Sequence, residues 1–103
     1  MPTYRYQDAW DALGDATRRT IFELVAERPR SVGDIADRVP VSRPAVSQHL
    51  KVLGSAGLVT HRRDGTRRYY AADPAGLAEL HDYIEKYWQR ALASFKAAAE
   101  KEE

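Results

Sequence analysis

No cysteine occurs among the 103 residues, which excludes disulfide frameworks, thiolate metal sites and a cysteine nucleophile. That lack suits a reducing compartment, so a cytoplasmic protein is expected. Nor does any apolar run approach the ~20 residues that cross a bilayer, and the first residues lack a signal-peptide core. No membrane partner is expected. Internal repeats and low-complexity linkers are missing as well. Phosphate-binding loops, metal clusters and paired carboxylates in a pocket are also lacking, so neither an enzyme nor a cofactor is expected. With 44% hydrophobic and 30% charged residues, the composition fits one folded domain over 1–103.

The formal net charge is only +1, but it is unevenly distributed. Residues 1–15 carry a net of −2, residues 16–70 a net of +6, and residues 71–103 a net of −3. A basic middle between acidic flanks suggests a polyanion-binding surface on the central segment.

Hydrophobic spacing predicts helices and one hairpin. A short first helix, about 8–13, carries Trp10 and Leu13, and Gly14 breaks it. Asp15 caps a second helix with an Ile21, Leu24 and Val25 face, which Pro29 stops. Ser31 caps a third, with Asp34 at the capping-box position and Val32, Ile35, Ala36 and Val39 as its apolar residues. Ser42 caps a fourth over 42–56, with Pro44 in its first turn and Gly57 as its stop. Asp64-Gly65 reads as the two-residue turn of a hairpin over about 58–72, which pairs Arg63 with Thr66 and Arg62 with Arg67. Asp73-Pro74 opens a last helix, about 74–99. Its residues Leu77, Leu80, Ile84, Tyr87, Trp88, Leu92 and Phe95 form a seam like that of a coiled coil, and residues 100–103 are expected to fray.

Two helices around a tight turn, followed by a basic hairpin, outline a mainly α winged helix-turn-helix with a two-stranded β-wing. In such proteins the second helix enters the major groove of double-stranded DNA. With Val46, Leu50 and Leu53 facing inward, that helix presents Arg43, Ser47, Gln48 and Lys51 outward. Gln bonds adenine bidentately, Arg bonds guanine, and Ser accepts either. Lys51, deeper along the helix, suits a phosphate. In the hairpin, opposed arginines Arg62 and Arg67 repel each other unless phosphates lie against them, and Arg63 and Arg68 extend the charge. An alternative is a winged-helix protein-interaction module, which leaves the arginine-rich wing without a task.

The run Ser42-Arg43-Pro44-Ala45-Val46-Ser47-Gln48-His49-Leu50-Lys51-Val52-Leu53, with Ala56-Gly57-Leu58-Val59, resembles the recognition helix of ArsR-type (ArsR/SmtB) bacterial regulators. Asp15-Ala16-Thr17-Arg18-Arg19 and Asp64-Gly65-Thr66-Arg67-Arg68-Tyr69-Tyr70 resemble the same family, and the likeness spans about 8–90. It implies a homodimeric repressor of its own or a neighbouring operon, bound to an inverted-repeat operator and often released by a small-molecule effector. Similar proteins dimerise through their first and last helices, here the segment with Trp10 and Leu13 and the seam from Leu77 to Phe95. Ser42, Pro44 and His49 fall within the DNA-binding motif, with His49 assigned to a phosphate or to packing under the wing. The third helix has no thiol, which excludes soft-metal sensing of the family's cysteine type. His81 and Glu85, four apart with Asp82 beside them, are the candidates for a metal-responsive variant. Trp10, Tyr83, Tyr87, Trp88 and Phe95 suit interface anchors, or the lining of an apolar effector pocket.

Overall fold

The computed structural model describes the backbone of residues 2–101 and the side chains of residues 7–101. Its elements are α1 (Pro2–Gly14), α2 (Ala16–Glu27), α3 (Val32–Ala36), α4 (Arg43–Ser55), β1 (Val59–Asp64), β2 (Arg67–Ala72) and α5 (Pro74–Lys101). This is the mainly helical, winged architecture the sequence predicts.

Short polar side chains start the helices where expected. Asp15 Oδ1 accepts from the Arg18 amide at 2.8 Å and Ser31 Oγ from the Asp34 amide at 3.2 Å. Ser42 Oγ accepts from the Ala45 amide at 3.3 Å and Asp73 Oδ1 from the Ala75 amide at 3.0 Å. Each satisfies an amide that the helix leaves without an internal partner. Asp34 does not complete a capping box, because its carboxylate accepts from Arg30 and Arg38 instead.

Four boundaries differ from expectation. The first helix begins at Pro2 rather than near Asp8, since proline suits a first helical turn and no breaker follows it before Gly14. Helix α3 stops at Ala36, so Val39 packs on the core from the following turn. Glu100 and Lys101 continue α5 instead of fraying, while Glu102 and Glu103 lie outside the described residues. The wing's turn is Gly65-Thr66, and the register pairs Asp64 with Arg67, Arg63 with Arg68 and Arg62 with Tyr69. Gly65 has φ +66°, and among the described residues none other than glycine has positive φ. A two-residue turn with glycine first keeps Asp64 extended, whereas an Asp-Gly turn forces it into the left-handed region. The face assignment survives because alternation is unchanged: Val59, His61 and Tyr70 share one face, Thr60, Arg62, Tyr69 and Arg67 the other. The opposed like charges are therefore Arg63 and Arg68, on the first face.

The core gathers Ile21 and Val25 of α2, Ile35 of α3, and Val46, Leu50 and Leu53 of α4. Leu58, Val59, Leu80 and the alanines Ala9 and Ala12 of α1 close it. Arg18 Nε donates to the Ala12 carbonyl at 2.7 Å and Arg19 Nη1 to the Leu13 carbonyl at 3.2 Å. Arginines of α2 thus complete the open C-terminal end of α1.

Arg30 ties the wing to the helices. Its amide donates to the Tyr70 carbonyl at 2.9 Å, and the Tyr70 amide donates back at 2.8 Å. Its side chain, only 4% exposed, donates to the Leu24 carbonyl at 2.8 Å, Glu27 Oε1 at 2.7 Å and Asp34 Oδ2 at 2.9 Å. A buried guanidinium needs such partners.

Only the first turns of α5 pack inward. Gly76 and Leu80 are buried, Leu77 lies against the core, and the remainder projects, giving extents of 65 × 28 × 22 Å. Gly76 is where α5 meets the α4–β1 corner. A β-carbon there would sit 1.7 Å from the Gly57 carbonyl oxygen.

Two outcomes follow. Gly76→Ala forces backbone against backbone and is expected to lower urea-unfolding stability by about 1–3 kcal/mol. Gly14→Ala, where a β-carbon meets nothing within 4 Å, serves as the silent control. The hydrogen bond from Arg30 holds the Asp34 carboxyl below its ordinary 3.8. A depressed carboxyl stabilises the fold above its unfolded pKa and loses that contribution as pH falls through its folded value. Asp34→Asn should therefore melt lower than the parent at pH 7. Circular-dichroism melts should show that gap closing as the pH drops below 3.8; a gap constant from pH 7 to acid contradicts this.

Candidate nucleic-acid interface

Helix α4 turns Val46, Leu50 and Leu53 into the core and leaves Arg43, Pro44, Ser47, Gln48 and Lys51 exposed, with the Ser42 cap also at the surface. The separation follows from 3.6 residues per turn. On the wing, Arg62, Arg63, Arg67 and Arg68 are all exposed. Among the described residues, none of Arg43, Lys51 and these four arginines forms an ion pair.

Two clefts join helix and wing. One, of about 590 Å³, runs between Ser47 and Lys51 of α4 and His61, Arg68 and Tyr70 of the hairpin. The other, of about 600 Å³, brings Arg43 together with Thr66, Arg67 and Arg68 beside α3. The wing face bearing His61 and Arg68 thus looks toward the outward side of α4. Packing of the His61 ring on Tyr70, with centroids 5.4 Å apart, stiffens that face.

His49 is half-buried, and its Nδ1 is enclosed without a hydrogen-bond partner. It lies close enough to Asp15 to help lower that carboxyl's pKa, chiefly set by the Arg18 amide, so it faces the start of α2. Gln48 and Lys51 also border a groove of about 360 Å³ against Asp8, Asp11 and Arg18.

The expected dimerisation residues divide into two groups. Leu13, Leu77 and Leu80 pack on the chain's own core. Trp10, Ile84, Tyr87, Trp88, Leu92 and Phe95 are exposed, Phe95 to 76%. Rings of Trp10 and Tyr83 meet edge-on at 6.1 Å, and Tyr83 and Tyr87 at 4.9 Å. This aromatic ladder links α1 to α5 within one chain. His81 Nδ1 lies 3.7 Å from Asp82 Oδ1, while Glu85 Oε1 accepts from Gln89 Nε2 at 2.8 Å. Among the described residues, no three His, Cys, Asp or Glu side chains gather as a metal site would need. None of their helices is long and apolar enough to cross a membrane.

Arg30 was invisible to sequence reasoning. Nothing local distinguishes it from other arginines; its neighbour Pro29, which ends α2 and starts an extended stretch, is the only hint.

Residues 15–61 match the model of the bacterial regulatory protein arsR family. The chain is 55% identical over 96 residues to the HTH-type transcriptional regulator Rv2034 of Mycobacterium tuberculosis, covering 92% of this chain and 90% of that one. It is 32% identical over 77 residues to the transcriptional repressor SdpR of Bacillus subtilis, covering 75% and 86%. Among solved structures, a homodimeric winged helix-turn-helix DNA-binding domain from Mycobacterium bovis superposes with a TM-score of 0.69 at 30% identity, covering 84% and 81%. With its exposed helix face and arginine-lined wing, the chain belongs to the ArsR family of helix-turn-helix transcriptional regulators, DNA-binding proteins rather than enzymes.

Proposed function

We infer that the protein is a homodimeric, sequence-specific repressor working in the cytoplasm on an inverted-repeat operator. Helix α4 enters the major groove, and the β1–β2 wing lies on the flanking backbone or minor groove. One observation carries this reading: six cations without ion-pair partners, together with Ser47 and Gln48, are exposed on two elements that the clefts bring side by side. Leaving six like charges unneutralised costs the isolated fold stability and is offset when phosphates replace counterions.

Dimerisation supplies the second half-site. Trp10, Ile84, Tyr87, Trp88, Leu92 and Phe95 make an exposed apolar stripe, and the Mycobacterium bovis relative is a homodimer. Two copies joined along α1 and α5 would present their α4 helices about 34–36 Å apart, one turn of DNA. Repression is supported by the likeness to SdpR.

Fluorescence titration of promoter duplexes tests the reading. Binding should weaken steeply with salt, and Gln48→Ala should reduce discrimination against altered operators by ~1–3 kcal/mol. Arg67→Ala should weaken binding evenly across sequences and lower the salt slope by about 1. Salt-independent binding, or equal affinity for every duplex in the parent protein, contradicts the proposal.

A further inference from the structure

Arg43 heads the recognition helix, where an exposed arginine is ordinarily read as a contact to guanine. Here the guanidinium rests against the chain itself. It lies against Gly33 of α3, so closely that a β-carbon on Gly33 would stand 3.1 Å from Nη2 and 3.4 Å from Cζ. Glycine is a poor helix former, about 1 kcal/mol worse than alanine, and Gly33 is the second residue of a five-residue helix. Its backbone is not left-handed, so conformation does not demand glycine there. The space a β-carbon would take there is the space beside the Arg43 guanidinium.

From that position Arg43 shares the cleft of about 600 Å³ with Thr66, Arg67 and Arg68 of the wing. Two carboxylates line it as well, Asp34 and Asp37. Asp34 is neutralised by Arg30 at 2.9 Å and Arg38 at 3.2 Å, with Arg28 at 3.8 Å. Only Asp37 opposes the three guanidiniums without an ion pair of its own among the described residues. Three arginines that line one cleft from two elements, without ion pairs among the described residues, suit one ligand chemistry, a multiply charged oxyanion. In a DNA-binding protein that is a backbone phosphate.

We propose that Arg43, held over Gly33, is not a base reader but the helix-side arm of a phosphate clamp completed by Arg67 and Arg68 of the wing. The clamp fixes the angle between α4 and the wing on the DNA and leaves base discrimination to Ser47 and Gln48. This rests on the DNA-facing placement of α4 and wing proposed above.

The test compares an operator duplex with a scrambled duplex of equal length over a range of salt, using the full chain. Arg43→Ala is expected to weaken both by the same factor, roughly eightfold at 0.1 M salt, and to lower the salt slope by about one. Arg43→Lys, which keeps the charge, should retain the slope. Gly33→Val, which evicts the guanidinium without removing it, should weaken both duplexes alike, and a melting curve for each variant confirms folding. Loss of affinity for the operator alone in Arg43→Ala restores Arg43 as a base reader and overturns the clamp. No change on either duplex also overturns it, provided Gln48→Ala and Arg67→Ala still weaken binding. If those variants bind like the parent too, the placement of α4 and wing on DNA has failed, and the clamp falls with it.

Discussion

The candidate DNA surface is built on α4 and the wing, and Arg30 is the residue that ties the wing's second strand to the helices behind it. Its main chain forms a two-way bridge to Tyr70 of β2, an isolated bridge beside the two-stranded hairpin. Two-stranded hairpins are marginal alone in water. The same residue sends its guanidinium back to the end of α2 and the start of α3. One residue therefore fixes the wing's base relative to the helix pair that carries α4. Its pKa is raised, first by the hydrogen bond to Asp34 and against the opposing effect of burial, so the tie favours the charged guanidinium.

Asp34 stands at the centre of that tie. Its amide is capped by Ser31, one carboxylate oxygen takes Arg30, and the other takes Arg38. Completing a capping box would have used the carboxylate on a single local amide. Spending it on two arginines instead links α2, α3 and the turn that follows α3. Two arginines four residues to either side, rather than the amide three residues back, decide where the carboxylate goes. The arginines of Asp15-Ala16-Thr17-Arg18-Arg19 make the same point, since they close the carbonyl end of the preceding helix rather than reach for a ligand.

Features set by neighbouring residues were legible in the sequence. The caps at Asp15, Ser31, Ser42 and Asp73 each depend on a side chain within three residues of the amide it accepts, and all four appear. The inward face of α4 follows from its period alone. The wing's register was less legible, because Asp-Gly and Gly-Thr compete as turns and differ by one residue in position. The lack of positive φ at Asp64, which an Asp-Gly turn would need, decides between them. Within the candidate interface, the exposure of Arg43, Ser47, Gln48 and Lys51 was readable, whereas the resting place of the Arg43 guanidinium was not. That depends on a missing β-carbon ten residues earlier, on a different helix.

A net of +6 over residues 16–70 overstated what a polyanion can use, and at the same time understated how it is organised. The arginines there fall into two populations. Arg18, Arg19, Arg28, Arg30 and Arg38 are engaged with carbonyls or carboxylates of their own chain. Arg43, Lys51, Arg62, Arg63, Arg67 and Arg68 have no such engagement among the described residues, and all belong to α4 or the wing. A charge already bonded to its own fold contributes only its distant field, which salt screens over about 10 Å at 0.1 M. A charge without a partner can close on a phosphate directly. The central segment therefore uses Glu27 and Asp34 to neutralise arginines within the helical scaffold and leaves the cations of α4 and the wing without ion pairs among the described residues. This distribution of partners, more than the sum of charges, distinguishes a DNA-binding face from a merely basic one.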